Sequence, residues 1–296
     1  MKVGVDSYCY HRFFGEVYPQ QPAPERRLSL EDFLSRAKEL DVDGVSLESC
    51  FFPRFDSSYL AGIKRLLDEY GFDRVYAWGH PDGLEGGLNE PAYDDMVSSI
   101  ERARAIGADV MRVVGSSLMF RNQPHQPQLE RLTRMFSNVV KVAEKHGVRL
   151  AVENHIDFTS DEMLQLIKAV DSPLLGINFD TGNFVRLLDD PIKGMGKLAK
   201  HVFATHIKDL KPQKGVAADE WYFFSCTPVG DGIVDNLQLA RLLAGAGYQG
   251  FLAVEIDFLH PDYLGDEDGA VAQSIRELKR IAAVVETETE RTTVRP

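Results

Sequence analysis

The chain has 296 residues, 44% of them apolar, and a formal net charge of −12. That length suits one large α/β domain or two small ones, and it is enough to bury a sizeable core. The acidic balance disfavours a nucleic-acid partner, because such proteins normally present a basic surface. The three cysteines lack metal-ligand spacing and predict reduced thiols. Since no apolar run approaches a membrane span, we expect a soluble, cytoplasmic protein with no membrane partner.

Apolar runs of strand length alternate with helical patterns along the chain. Strands are predicted at residues 2–6, 44–48, 74–78, 110–114, 149–153, 175–180, 202–206 and 251–255. Helices are predicted at residues 30–40, 60–70, 93–106, 129–146, from a capping box at 159–162, at 192–200, 237–244 and 271–285. The longest insertion, residues 209–235, holds the aromatic run 221–224, which we interpret as a lid or an interface.

No linker-like tract interrupts the alternation of predicted strands and helices, so we predict a single α/β domain. Eight strand–helix units indicate a (β/α)8 TIM barrel for residues 1–286, followed by a polar tail at 287–296. The alternative, an open doubly wound sheet, lacks its Gly-x-Gly-x-x-Gly motif after the first strand. In a barrel the carboxyl ends of all strands open on one face, where barrel enzymes carry out their chemistry.

The last four predicted strands each end in a side chain that binds metals or transfers protons: Glu153, Asp180, His206 and Glu255. The alternative is that these four polar residues stand at the starts of loops by chance and share no function. Three carboxylates and one imidazole form a hard ligand set that suits Mn²⁺ or Mg²⁺, with Co²⁺ or Zn²⁺ as alternatives. An octahedral ion held by four ligands keeps two positions for the oxygens of a hydroxy-ketone. The pattern therefore predicts one divalent metal ion and Lewis-acid chemistry.

The same strand ends carry four short motifs: AVENH at 151–155, NFDTGN at 178–183, HIKD at 206–209 and AVE at 253–255. Through them the chain resembles the xylose isomerase-like TIM barrel superfamily over residues 2–285. That superfamily includes ketose 3-epimerases, hydroxypyruvate isomerases, inosose dehydratases and endonuclease IV. The resemblance implies that the four strand-end residues bind the metal, and that the two glutamates also serve as an acid/base pair.

The resemblance also implies substrate contacts. Lys208 and His80 would line the substrate pocket, and we add Glu48 and Asn183 as candidate substrate contacts. Each has an alternative interpretation, since strand ends often carry polar residues and Lys208 has Asp209 beside it in sequence.

Within the superfamily the chain looks similar to the catalytic subunits of bacterial C-glycoside deglycosidases. That likeness depends on His155, directly beyond a ligand strand, and on the aromatic insertion at 219–232. It implies a base that removes the C2 proton of a 3-oxo-glucoside, with loss of the aglycone from C1. An uncoordinated imidazole titrates near neutral pH, so His155 is a candidate catalytic base beside Glu153 and Glu255. The likeness also implies a small second (β) subunit, and we expect an oligomer.

The predicted function is metal-dependent enediolate chemistry on a keto-sugar or glycoside, with a C-glycoside deglycosidase as the first choice. A sugar isomerase or epimerase acting on a free keto-sugar is the alternative, because both reactions share the enediolate. A nuclease of the endonuclease IV type is disfavoured, because its three-zinc site needs more histidines at strand ends than this chain supplies. A sugar-binding module without catalysis is the third interpretation.

Overall fold

The protein is described by a computed structural model that covers residues 1–79 and 82–293. Within this part of the chain, eight parallel strands close into a barrel, and the predicted (β/α)8 class is confirmed. The barrel strands are β1 (Lys2–Asp6), β2 (Gly44–Glu48), β3 (Asp73–Ala77), β4 (Val110–Val114), β5 (Arg149–Glu153), β6 (Leu175–Asp180), β7 (Val202–Ile207) and β10 (Phe251–Val254). Two further strands, β8 (Asp209–Pro212) and β9 (Phe224–Thr227), form an antiparallel hairpin outside the barrel.

Helices follow the strands and cover the outside of the barrel. They are α1 (His11–Phe14), α2 (Leu30–Glu39), α3 (Ser57–Tyr70), α4 (Glu90–Ala105), α5 (His125–His146), α6 (Ser160–Val170), α7 (Asn183–Arg186), α8 (Pro191–Leu198), α9 (Asn236–Gly245) and α10 (Glu267–Thr293). Their buried faces and the outward faces of the strands form one continuous apolar core. In the described ranges, no helix combines the length and the apolarity that crossing a bilayer requires.

The helix ends lie close to the positions that the sequence predicts. Ser29 and Thr159 begin α2 and α6 with reciprocal capping boxes, each completed by an acidic residue three positions later. Gly71 and Gly147 end α3 and α5 in the left-handed conformation that glycine adopts without strain. Local side-chain hydrogen bonds therefore define where these helices begin and end.

The short helices α1 and α7 lie where no helix is predicted. Two longer regions also differ from the predicted elements. The sequence pattern predicts no strand within the insertion at 209–235, but β8 and β9 pair there. It predicts the last helix at 271–285, but α10 continues to Thr293, into the stretch expected to form a polar tail. Both differences arise where polar residues interrupt the apolar periodicity on which the prediction depends.

Strand register brings the functional side chains to one level. Alternate residues of a barrel strand point inward, so the last inward residue of each strand faces the carboxyl-end opening. Asp180 pairs in register with His206, and the backbone N–H of Glu255 donates to the carbonyl of Ile207. The ends of β5, β6, β7 and β10 are therefore adjacent and nearly level.

Candidate metal centre

The four predicted metal ligands meet at the carboxyl end of the barrel. Glu153 and Asp180 are the last residues of β5 and β6, His206 is near the end of β7, and Glu255 directly follows β10. All four are buried, and their ligand atoms lie within 4.8 Å of one another. Nδ1 of His206 is 3.1 Å from Oε1 of Glu153 and 2.9 Å from Oε2 of Glu255.

This cluster fits one divalent metal ion. Within the described part of the chain, Oε2 of Glu153 and Oε2 of Glu255 accept no hydrogen bond of regular geometry, although both are buried. Burial raises the pKa of Asp180 to about 7, against the opposing effect of Lys208. Both observations reflect the cost of crowding carboxylates away from water. A divalent cation would offset that cost, and three carboxylates with one imidazole are a suitable donor set.

Lys208 adds a buried ammonium group to the cluster. Its Nζ donates to Asp180 and lies 2.9 Å from Oε2 of Glu255 and 3.1 Å from Oδ2 of Asp257. Burial lowers the pKa of Lys208, but these three carboxylates outweigh burial and raise the pKa well above its usual value. Asp209, the alternative partner, instead accepts backbone hydrogen bonds from the turn after β9. Lys208 is therefore a charged group at the edge of the metal-ligand cluster.

The opposite side of the rim carries the buried charged residues Glu48, Arg112 and Asp6, which contact one another or the four-residue cluster. Arg112 on β4 donates to Oε1 of Glu48, and its Nε lies 3.1 Å from Oε2 of Glu153. Burial raises the pKa of Glu48 well above its usual value, although the guanidinium of Arg112 opposes this shift. Oδ2 of Asp6 lies 3.3 Å from Nε2 of His206. Glu48, predicted to contact substrate, therefore has Arg112 as its immediate partner at the pocket wall.

His155 lies directly beyond β5, where the backbone is held rigidly. The neighbouring Asn154 exchanges two 2.9 Å hydrogen bonds with the backbone of Asp180 and so joins β5 to β6. Nδ1 of His155 is buried and has no hydrogen-bond partner among the described residues. Burial lowers the pKa of His155, although Glu153 opposes the shift, so the imidazole is neutral at neutral pH. A neutral imidazole with an unpaired nitrogen can accept a proton.

A cavity of about 310 Å³ opens above the cluster and has two unlike walls. Its polar wall includes Lys208 and Glu255, the one member of the four-residue cluster that lines it. The partly exposed rings of Tyr8, Tyr18 and Trp221 form an aromatic wall at its mouth. The rings of Tyr18 and Trp221 lie 5.0 Å apart. A larger cavity, about 570 Å³, opens at the amino end of the barrel near Arg149 and Phe203, away from the four ligands. The carboxyl end is where barrels carry out chemistry, so the smaller cavity is the candidate site.

The two remaining predicted substrate contacts are Asn183 and His80. Asn183 lines the cavity, but its side chain is already bonded: Nδ2 donates to the carbonyl of Asn154, and Oδ1 accepts from Arg186. His80 lies outside the described residues. Asn183, the first residue of α7, therefore joins this helix to the residue that follows β5.

Several charged residues at this site are not predicted from the sequence: Asp6, Arg112, Arg186 and Asp257. Asp6 ends β1 and so shares the strand-end pattern of the predicted ligands. Asp257 lies two residues beyond Glu255, which places it on the same loop. Arg112 stands inside an apolar strand, and Arg186 lies on a short helix, so the strand-end pattern does not mark either residue.

Known proteins resemble this chain in sequence over most of its length. A family model described as "Xylose isomerase-like TIM barrel" matches residues 34–281. A 3-oxo-isoapionate decarboxylase from Pectobacterium atrosepticum is 27% identical, over 79% of this chain and 78% of its own. The rhizopine catabolism protein MocC from Rhizobium meliloti is 25% identical, over 77% of this chain and 74% of its own.

Solved structures show the same fold at lower sequence identity. A D-tagatose 3-epimerase-like protein matches with a TM-score of 0.73 and 19% identity, covering 98% of this chain and 100% of its own. The IOLI protein, whose structure holds a bound zinc atom, matches with a TM-score of 0.70 and 14% identity, covering 97% and 99%. At such identities the likeness establishes the architecture alone.

Proposed function

Since the chain belongs to the xylose isomerase-like TIM barrel family, we propose that it is a divalent-metal-dependent enzyme that removes the proton beside the carbonyl of a keto-sugar. The observation that carries this proposal is the buried cluster of four ligands, within 4.8 Å of one another, beside the cavity that His155 lines. We propose Mn²⁺ as the ion because the set is rich in carboxylates, with Mg²⁺, Co²⁺ and Zn²⁺ as alternatives. The zinc in the IOLI protein supports the last of these.

Glu153, Asp180, His206 and Glu255 would hold the ion, which supplies Lewis-acid polarisation of the carbonyl when bound. In this proposal His155 takes the α-proton, because its unpaired Nδ1 is neutral. Glu153 and Glu255 are the other candidate bases, and Lys208 holds a positive charge beside the developing oxyanion. General-base assistance of this kind is worth about 10²–10⁴-fold in rate.

For the reaction itself, we propose elimination from a 3-oxo-C-glucoside, as in a C-glycoside deglycosidase. The base takes the C2 proton, and the electron pair of the C2–H bond forms the enediolate with the C3 carbonyl. The pair then returns to form a C1–C2 double bond while the C1–aglycone bond breaks. The electrons of that bond pass to the aglycone carbon, which takes up a proton. Atoms and charge balance without an oxidant or a reductant.

Two observations support cleavage over rearrangement. The mouth of the cavity presents aromatic rings, which suit a flat aryl group better than a free monosaccharide. In addition, the relative named 3-oxo-isoapionate decarboxylase carries in its name a 3-oxo substrate and the loss of carbon dioxide. A lyase that acts beside a 3-oxo group is consistent with the aromatic rings of the cavity and with the name of this relative.

The second candidate is an isomerase or epimerase that acts on a free keto-sugar. The pair Glu153 and Glu255 favours it, because two carboxylates in one cluster can remove a proton and return another. The D-tagatose 3-epimerase-like protein shares the fold, though not enough sequence to carry its activity over. The two candidates differ in the fate of the enediolate, so product analysis separates them.

The test is exchange of the α-proton in D₂O with Mn²⁺, on a 3-oxo-C-glucoside and on a free ketose. The proposal expects deuterium at C2 of the glucoside and release of the aglycone, and both should fall about 10²–10⁴-fold in H155Q. H146Q is the matched control, because His146 ends α5, a helix on the outside of the barrel. Activity on the ketose alone would select the epimerase, and no exchange from any keto-sugar would reject both candidates.

We also propose that the protein forms an oligomer and binds a small second subunit at the carboxyl end of the barrel. Met119, Leu188 and Ile233 support this, because they are exposed apolar side chains in segments that come after β4, α7 and β9. Co-expression with a small neighbouring open reading frame, then light scattering, tests it. A monodisperse monomer under both conditions would contradict it.

A further inference from the structure

We infer that Arg186 is a positioning residue that joins the aromatic wall of the cavity to the metal-ligand cluster. In this role it holds Trp221 at the cavity mouth and so sets the affinity for the part of the substrate that lies there. The position of Trp221 depends on contacts within the chain alone. The effect of Arg186 on substrate affinity rests on the proposed function.

All five N–H donors of Arg186 have acceptors. Nε and Nη2 donate to the carbonyl of Phe224 at 3.2 and 3.1 Å, and Nη1 donates to Oδ1 of Asn183 at 3.2 Å. Nη1 and Nη2 also donate to the two carboxylate oxygens of Asp257. The side chain is 2% exposed. A guanidinium with every donor used cannot hydrogen-bond a substrate, so its effect on substrate must pass through its neighbours.

One of those neighbours is Trp221. The Cζ atom of Arg186 lies 5.4 Å from the centre of the indole ring, a cation–π distance. The ring also contacts Phe258 edge-on, at a centroid distance of 5.4 Å. Because Arg186 binds the carbonyl of Phe224 as well, it fixes both the backbone of β9 and the ring three residues before it. The planar guanidinium thus determines where the aromatic wall stands.

In the described structure, the residues just before Trp221 have few contacts with the rest of the chain, whereas those just after it are held by Ser225 and Gln213. Residues 214–220 are mostly exposed, and Arg121 reaches them through one exposed hydrogen bond to the carbonyl of Asp219. Phe223 donates to Glu220 within the segment itself. Without Arg186, the indole would keep its ring contacts with Tyr18 and Phe258 but would lose its contact with a charged, fully hydrogen-bonded side chain.

The other neighbour is Asp257, which connects the wall to the cluster. Its Oδ2 accepts from Arg186 and lies 3.1 Å from Nζ of Lys208, which in turn contacts Asp180 and Glu255. The chain Trp221–Arg186–Asp257–Lys208 therefore runs from the cavity mouth to the metal ligands. A shift of the guanidinium is expected to move both the ring and the ammonium.

The experiment compares R186K with the wild type and with R241K. Lysine keeps the positive charge beside Asp257 but cannot span Asp257 and Phe224 together, because it lacks the planar fork. Arg241 is the matched control, since its paired donors go to Glu288 on the surface. Three quantities are measured: acrylamide quenching of tryptophan fluorescence, trypsin cleavage after Lys214, and kcat and KM on the 3-oxo-C-glucoside with Mn²⁺. W221F assigns the fluorescence, because Trp78 is fully buried.

We expect R186K to show stronger quenching and faster cleavage after Lys214, with R241K unchanged. KM should rise about tenfold, as expected for losing about 1.4 kcal/mol of binding, with a smaller change in kcat. W221L should reproduce the rise in KM, which keeps the test valid if R186K folds poorly. Wild-type quenching and cleavage in R186K would overturn the inference. If the wild type turns over no keto-sugar, the proposed function fails, while quenching and cleavage still decide the role of Arg186.

Discussion

The carboxyl-end rim of the barrel carries buried charges on two sides, which differ in how those charges are paired. The first half comprises the ends of β5, β6, β7 and β10, and the second half comprises those of β2 and β4. On β5, β6, β7 and β10 the buried charges form one anionic cluster with ligand atoms within 4.8 Å. On β2 and β4 Glu48 and Arg112 form a buried pair, and Arg112 also reaches Glu153 of the first half. Burying unpaired charge is costly, so each half must find a partner for it. The first half holds more carboxylates than Lys208 and Arg112 can neutralise, and this excess of negative charge is why we propose the metal site there.

The largest effect should come from removing a ligand in the first half. Replacing Asp180 by asparagine (D180N) removes one anionic donor, and we expect a rate loss on the order of 10³-fold, because Lewis-acid assistance is worth several kcal/mol. Mn²⁺ titration monitored by electron paramagnetic resonance, alongside turnover, measures it. D41N is the control, since Asp41 pairs with Lys279 on the surface. Full Mn²⁺ affinity in D180N would show that the cluster is not the metal site.

Breaking the second half should affect stability instead. R112M leaves Glu48 buried without its partner, and we expect a loss of about 3–5 kcal/mol in the free energy of unfolding. Urea denaturation measures it. The double variant R112M/E48M should recover part of the loss, because it removes the carboxylate of Glu48 but leaves Glu153 without Arg112. If the double variant is no more stable than R112M, the two side chains do not neutralise each other in the folded protein.

Adding Mn²⁺ should stabilise the folded protein through the first half and not through the second. At a free Mn²⁺ concentration one hundred times its Kd, the folded state should gain about 2.7 kcal/mol relative to protein in EDTA. The gain should persist in a variant of the second half such as E48Q and vanish in D180N. Thermal unfolding with and without the ion provides the measurement, and an equal gain in D180N would contradict the assignment.

The smallest effect is expected where the halves adjoin, between α5 and α6. His125 Nδ1 lies 2.7 Å from Oε1 of Glu162. Burial lowers the pKa of His125, but the carbonyl of Arg121 and the carboxylate of Glu162 raise it above its usual 6.5. Burial likewise raises the pKa of Glu162, but the Thr159 backbone and His125 lower it below 4.5.

The stabilisation from His125 is therefore complete below pH 6.5 and declines as the pH rises through its folded pKa. That from Glu162 is complete above pH 4.5 and declines as the pH falls. We expect H125Q to lose about 0.2–1 kcal/mol near pH 5.5 and less at pH 8.5. Urea denaturation at the two pH values measures this, and an equal loss at both would remove the ionic contribution.

The sequence predicts the fold and the first half of the rim, because both depend on short-range patterns. A buried parallel strand is an unbroken apolar run, and its first polar residue, such as Glu153 or Asp180, marks the carboxyl end. The second half depends on pairs that are remote in sequence. Arg112 lies 64 residues from Glu48, and nothing in either local pattern indicates that they meet.

The aromatic insertion shows the same limit. Its length and its rings indicate a functional segment, but the hairpin of β8 and β9 depends on pairing across residues 213–223. The tie from Arg186 spans 71 residues to Asp257. Such contacts join residues that the local apolar period does not relate, so sequence periodicity carries no signal for them.

Lys208 has a consequence for the order in which the enzyme is assembled. An ammonium group already inserted among Asp180, Glu255 and Asp257 partly neutralises them before any ion arrives. If the proposed function holds, the polypeptide would be able to reach its native shape first and acquire a metal ion afterwards. Which ion it carries would then reflect the supply in its surroundings at that moment as much as the preference of its ligands.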